Sequence, residues 1–229
     1  MDRRIDAENP RTASRALPAG SVTPGFVALF VTVSALLFLL AAWRLNPLTL
    51  AFAPVALIVL LGYSYTKRFT AASHLVLGLA LGGAPLGAWI AVRGTLAPTP
   101  FLLTAVVLLW VAGFDILYAL QDREFDRRRG LHSIPARFGE RAALMLSALF
   151  HLGMLALLST LPSLYPPGLG GWYWAGVVGC LVLLVYQHSI VRPGDLSRLD
   201  AAFFSANGLL AAWLFVLTFV DLLRGGRVP

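Results

Sequence analysis

The chain has 229 residues, 58% hydrophobic and 13% charged, with a formal net charge of +7. Soluble domains are about 45–50% apolar and about 25% charged; here the apolar excess lies in long runs, which excludes an ordinary soluble enzyme and points to membrane spans. The basic residues sit in short loops between those runs, so they read as topology signals and as a hold on an anionic molecule rather than as a nucleic-acid surface.

The first 25 residues are polar and lack the apolar stretch of a signal peptide. Seven hydrophobic segments follow, at 26–43, 46–64, 75–93, 100–120, 142–161, 171–190 and 202–222. At about 1.5 Å rise per residue, each is long enough to cross a hydrocarbon core about 30 Å thick. They predict an all-α, multi-span transmembrane bundle of one domain, 1–229. Gly78-x-x-x-Gly82 and Gly83-x-x-x-Gly87 predict small faces for close helix contact in the third segment. Cys180, the single cysteine, excludes an intrachain disulfide and reads as a packing residue.

Charge sets the orientation. With a cytoplasmic N-terminus, 14 of the 18 Lys+Arg fall on the cytoplasmic side, leaving only Arg44, Arg93, Arg224 and Arg227 opposite. Nine of the 11 acidic residues fall on that side too, with Asp115 just inside the membrane near it. Acidic residues contribute little to orientation, so their asymmetry predicts a polar site at one face.

The candidate residues, in chain order, begin with Asp2 and Asp6, an i, i+4 carboxylate pair, followed by Arg11 and Arg15. Next comes Tyr63-Ser-Tyr-Thr-Lys67-Arg68, which holds the only lysine. Tyr63, Lys67 and Arg68 read either as a grip on phosphate or as a tyrosine belt with a basic flank. The most informative stretch is Asp115-Ile-Leu-Tyr118-Ala-Leu-Gln-Asp122-Arg-Glu-Phe-Asp126. On one continuous helix, spacings of 7 and 4 put the three aspartates within roughly 40° of each other.

Like charges so placed repel, and Asp115 lies in apolar sequence. A divalent ion would relieve both costs, and a set of oxygen donors without Cys or His suits Mg²⁺ or Ca²⁺. The alternative is a solvated acidic helix end paired to Arg123 and Arg127–Arg129, which explains Asp115 poorly. Facing pairs Asp2/Asp6 and Asp122/Asp126 would clamp a diphosphate between two ions. Asn207, inside the last segment, is either helix glue or cavity lining. His151 and His188 read as packing or interface residues. No P-loop, Rossmann fingerprint, nucleophile elbow or zinc motif is present.

Residues 113–139, GFDILYALQDREFDRRRGLHSIPARFG, resemble the second aspartate-rich motif of the UbiA superfamily of membrane prenyltransferases. The similarity is to the 4-hydroxybenzoate polyprenyltransferase branch and its menaquinone-pathway relatives. Residues 63–94 resemble that branch's Tyr-x₃-Lys loop and the helix after it, and residues 2–20 the tail of the first aspartate-rich motif. The family has nine helices and a first motif N-[DR]-x₂-D-x₃-D, whose asparagine would fall before Met1. The resemblance therefore implies an N-terminally truncated chain, lacking the first helix and most of the second.

It further implies a Mg²⁺-dependent transfer of a polyprenyl group from its diphosphate to an aromatic acid such as 4-hydroxybenzoate, for ubiquinone or menaquinone synthesis. Implied metal ligands are Asp2, Asp6, Asp122 and Asp126. Tyr63, Lys67, Arg68, Arg11, Arg15 and Asn207 would bind substrate, and Asp115, Tyr118 and Lys67 would serve catalysis. The expected location is the cytoplasmic (inner) membrane of the cell, with the site on its cytoplasmic face. A small transporter or channel using intramembrane acids is the competing class, and would spread its charges through the membrane depth.

Overall fold

The computed structural model describes residues 2–165 and 168–225; Met1 and Arg227 lie outside them. Among the described residues every named element is helical, with no named strand. A short helix α1 (Arg3–Glu8) and a run of turns lead into the long helices α2 (Pro24–Leu45), α3 (Pro47–Thr66), α4 (Ser73–Arg93) and α5 (Pro98–Tyr118). After a 3₁₀ turn at Ala119–Asp122 come the short α6 (Arg123–Arg129) and then α7 (Ile134–Leu164), α8 (Gly171–Ser189) and α9 (Ala206–Arg224). Each of the seven predicted hydrophobic segments falls on one long helix.

Local chemistry sets the boundaries. Thr23 and Asn46 cap α2 and α3, accepting from the Phe26 and Thr49 amides at 3.2 and 2.9 Å, and each is followed by a proline at the first helical position. Asn46 also donates to the Ile90 carbonyl at 2.9 Å, tying the α2–α3 corner to the end of α4. Gly94 and Gly130 end α4 and α6 in the left-handed conformation, at φ +63° and +68°. Gly139 breaks α7 at φ +82°, ψ 174°, a region open in practice only to glycine, so residues 134–138 set off from the span that follows.

Among the described residues, six helical stretches are long and apolar enough to cross a membrane, and the chain is a multi-pass membrane protein. The helix α8 is not among the six. Its two ends, Trp172-Tyr-Trp174 and Tyr186-Gln-His188, lower its hydropathy around an apolar middle. Side chains such as Phe26, Phe30, Leu36 and Leu37 on α2 are about 60% exposed, as a lipid-facing helix requires. The buried apolar residues form two clusters. One joins Ile116, Leu117 and Leu120 to Ile134 and Leu199 near the polar end; the other gathers Met154, Leu158, Tyr173, Cys180 and Leu210 deeper in the bundle.

Of the two small-residue pairs, only the first makes a helix contact. A Cβ built on Gly78 would lie 2.5 Å from the Leu108 carbonyl oxygen of α5, and one on Gly82 2.7 Å from that of Thr104. Around Gly83 and Gly87 the space is open. Gly78→Ala is thus expected to force α4 and α5 apart and cost about 1–3 kcal/mol, whereas Gly83→Ala should stay within about 0.5 kcal/mol of wild type. Denaturant unfolding in mixed micelles measures both.

Candidate active site

The polar residues gather at one end of the bundle. The C-terminal ends of α3 and α5, the N-terminal end of α4, the start of α6 and the segment 2–15 line a cavity of about 270 Å³. Asp2, Asp6, Arg11, Arg15, Tyr63, Lys67, Arg68, Asp115, Tyr118, Asp122 and Asp126 all line it. The fold thus brings together every singled-out site residue except Asn207. Asn207 accepts a hydrogen bond from Trp110 Nε1 at 3.0 Å and donates to the Phe203 carbonyl at 2.7 Å. It joins α5 to α9 and stands outside the cavity lining.

The continuous helical stripe expected for the three aspartates is interrupted. The helix α5 ends at Tyr118 and tightens into the 3₁₀ turn before α6 begins. The carboxylates still reach one cavity, because the tighter turn re-aims Asp122 and lets α6 start a new axis. Both Asp122 and Asp126 are buried, at 7% and 1% exposure.

Each carboxylate is held by a base from elsewhere in the chain. Asp122 takes a bidentate grip from Arg11, through Nη2 and through Nε at 2.9 Å, and accepts from Asn9 Nδ2 at 2.8 Å. Lys67 Nζ lies 2.8 Å from Asp126, and Arg68 lies 2.7 Å from Asp2. Arg15 lies 3.8 Å from Asp6. His74 Nδ1 meets Asp115 Oδ2 at 2.7 Å. The Ile134 amide donates to His74 Nε2 at 3.3 Å, so Nε2 is the acceptor and Nδ1 carries the proton given to Asp115.

Hydrogen bonding to Asp122 raises the Arg11 guanidinium above its ordinary pKa and keeps it charged. Arg11 Nη1 also donates to the Tyr118 hydroxyl at 2.9 Å, and its guanidinium covers that ring at 4.9 Å. The other face of Tyr118 stacks on Phe203 at 4.1 Å between centroids. Phe203 lies in a single π-helical turn, Ala201–Ser205, that opens α9.

The residues fit a divalent ion bound together with an anion. Neither Asp126 oxygen accepts a hydrogen bond of good geometry, although Lys67 Nζ is within ion-pair range. A buried carboxylate left with unused lone pairs is a donor in waiting. No group of three acidic or His side chains among the described residues is close enough to form a ready-made cage. Five carboxylates face four fixed cations in the lining, leaving one negative charge in excess. A diphosphate alone or a pair of divalent ions alone would unbalance the cavity; the two together nearly cancel.

Three residues escaped the sequence reading. Asn9 is buried and orders both Asp122 and the Arg11 amide, and the Asn9-Pro10 turn signal was its only mark. His74 and Ser73 are also buried and line the cavity at the first turn of α4. His151 and His188 bond each other at 2.9 Å between α7 and α8, remote from the carboxylates in the chain and outside the cavity lining.

The sequence model of the UbiA prenyltransferase family matches residues 1–219. The chain is 33% identical over 228 residues to a 4-hydroxybenzoate octaprenyltransferase of Aeromonas salmonicida (strain A449), covering 100% of this chain and 76% of that protein. It is 32% identical over 229 residues to a protein of the same description from Tolumonas auensis (strain DSM 9187 / NBRC 110442 / TA 4), covering 97% and 75%. Among solved structures, the apo form of a UbiA homologue from Aeropyrum pernix K1 superposes with a TM-score of 0.83 at 30% identity, over 94% of this chain and 80% of that one. A UbiA homologue from Archaeoglobus fulgidus, solved bound to DMAPP and Mg²⁺, shares the fold with a TM-score of 0.65 at 19% identity, over 96% and 80%.

Proposed function

This chain belongs to the UbiA prenyltransferase family, and from that premise we propose that it transfers a polyprenyl group from an allylic polyprenyl diphosphate to an aromatic acid of the 4-hydroxybenzoate type, in quinone synthesis. Residues 1–229 act as one catalytic domain, in the cytoplasmic membrane, with the cavity open to the cytoplasmic side. The observation that carries the reading is the meeting of two carboxylate pairs and four cations from separated stretches of chain in one cavity at the end of a lipid-exposed bundle. A channel or transporter is disfavoured because these charges cluster at one end.

Asp2, Asp6, Asp122 and Asp126 would hold Mg²⁺, which supplies neutralising charge for the leaving diphosphate. Lys67, Arg68, Arg11 and Arg15 turn from their aspartates to the phosphate oxygens, with Tyr63 beside them. The allylic C1–O bond breaks and both electrons leave with the diphosphate. Once Arg11 has turned to the phosphate, the face of Tyr118 that it covered, opposite the stacked Phe203, is offered to the allylic cation. The acceptor's ring carbon ortho to its hydroxyl bonds to C1, and the proton it then loses passes to Asp115, oriented by His74. The apolar bundle excludes water that would otherwise capture the cation.

The purified chain in lipid nanodiscs, given labelled polyprenyl diphosphate, 4-hydroxybenzoate and Mg²⁺, is expected to form the C-prenylated acid, and to stop when EDTA is added. Hydrolysis of the diphosphate without any C–C product would refute the reading.

A further inference from the structure

Beside the cavity lies a second cleft of about 700 Å³, of whose lining the proposed chemistry uses only Arg68. Four arginines line it, Arg3 and Arg4 from α1, Arg68 from the α3–α4 corner and Arg129 at the end of α6, and no acidic residue does. Arg68 and Arg129 are partly balanced, by Asp2 at 2.7 Å and Glu8 at 2.5 Å. Among the described residues, the exposed side chains of Arg3 and Arg4 have no ion-pair or hydrogen-bond partner. The cleft therefore carries uncompensated positive charge.

Its position narrows the ligand. Pro24, on its rim, is the first residue of α2, whose outward side chains Phe26, Leu29 and Phe30 are each 60% or more exposed. A ligand whose phosphate sits among the arginines would continue directly onto this apolar surface at the membrane boundary. Without a lining carboxylate the cleft offers no place for a divalent ion, so it suits a phosphate that needs no metal. Ile5 and Arg68 line both hollows, so α1 is the wall between them.

We propose that this cleft, through Arg3, Arg4 and Arg129, binds the headgroup phosphate of an anionic phospholipid, with an acyl chain along α2, while Arg68 serves the diphosphate on the other side of α1. The bound lipid braces α1 and so fixes the side of the cavity that carries Asp2 and Asp6. A bilayer phosphodiester matches both the charge and the adjoining apolar helix; free phosphate matches only the first.

Native mass spectrometry of the full chain in detergent, with phosphatidylglycerol or phosphatidylcholine added, tests this without reference to turnover. Wild type should retain phosphatidylglycerol and release phosphatidylcholine. Arg3→Ala/Arg4→Ala should weaken phosphatidylglycerol retention by roughly 25-fold, at about fivefold per arginine, while Arg3→Lys/Arg4→Lys, which keeps the charge, should retain most of it. Equal retention of the two lipids, or undiminished retention by the alanine variant, would overturn the proposal. So would displacement of the lipid by millimolar inorganic phosphate, which would mark a free-anion site, or by an allylic diphosphate with Mg²⁺, which would assign the cleft to the substrate.

Discussion

Asp122→Ala is expected to lower Mg²⁺-dependent prenyl transfer by about a thousandfold. The residue is the best-connected acid of the cavity: buried, gripped by Arg11 through two nitrogens, and bonded to Asn9. Truncation removes a proposed metal ligand and also releases Arg11, whose other contacts are the hydroxyl and ring of Tyr118. Ion binding and the placement of the allylic fragment should therefore fail together. Asp122→Asn separates these effects from misfolding. An asparagine still accepts from Asn9 and preserves shape, so its unfolding midpoint should stay near wild type while its rate falls almost as far. Steady-state kinetics with saturating diphosphate, beside an unfolding curve, decides it. Wild-type turnover by either variant would remove Asp122 from the mechanism.

Lys67→Met should lower kcat by about 10²–10³-fold, the range for removing one charge-stabilising donor from the transition state. The side chain is nearly isosteric and Lys67 is the only lysine, so one ammonium disappears and little else changes. In the ligand-free cavity that ammonium is the charge partner of Asp126. Its loss leaves a buried carboxylate uncompensated, so Mg²⁺ should half-saturate the variant at a lower concentration even as turnover drops. A purely structural lysine would weaken metal binding and stability together. Lys67→Arg should recover part of the rate, because it restores the charge with altered geometry. A Mg²⁺ titration of initial rates for the three proteins measures the split.

The helices were legible in the sequence because membrane spans obey one strong rule: the backbone satisfies its own hydrogen bonds and the side chains are apolar. Only α8 strained it, through aromatic and polar ends that hydropathy counts against a span. The gathering of site residues was legible as well, because charge left at helix ends on one side has few places to go. What spacing alone could not give was the turn at Ala119–Asp122, since nothing in Ala-Leu-Gln-Asp announces a change from α to 3₁₀ winding. Nor could it give the pairing of acids with bases, which depends on where the segment 2–15 meets the cavity. His74 was hidden because one histidine at the start of an apolar run carries no pattern; only Asp115 from another helix and the Ile134 amide give it a task. Asn207 had two readings in sequence, and spacing could not foresee that it bonds Trp110 of α5.

The cavity presents carboxylates already paired with the cations assigned to phosphate. Metal and diphosphate should therefore enter as partners, each freeing the groups that hold the other. Mn²⁺ binding followed by electron paramagnetic resonance, with and without a non-hydrolysable prenyl thiodiphosphate, tests this most directly. Mn²⁺ alone should bind weakly and the thiodiphosphate should tighten it at least tenfold, an effect lost in both Asp2→Asn/Asp6→Asn and Asp122→Asn/Asp126→Asn. Equal Mn²⁺ affinity with and without the thiodiphosphate, or tightening that survives loss of either aspartate pair, would contradict it.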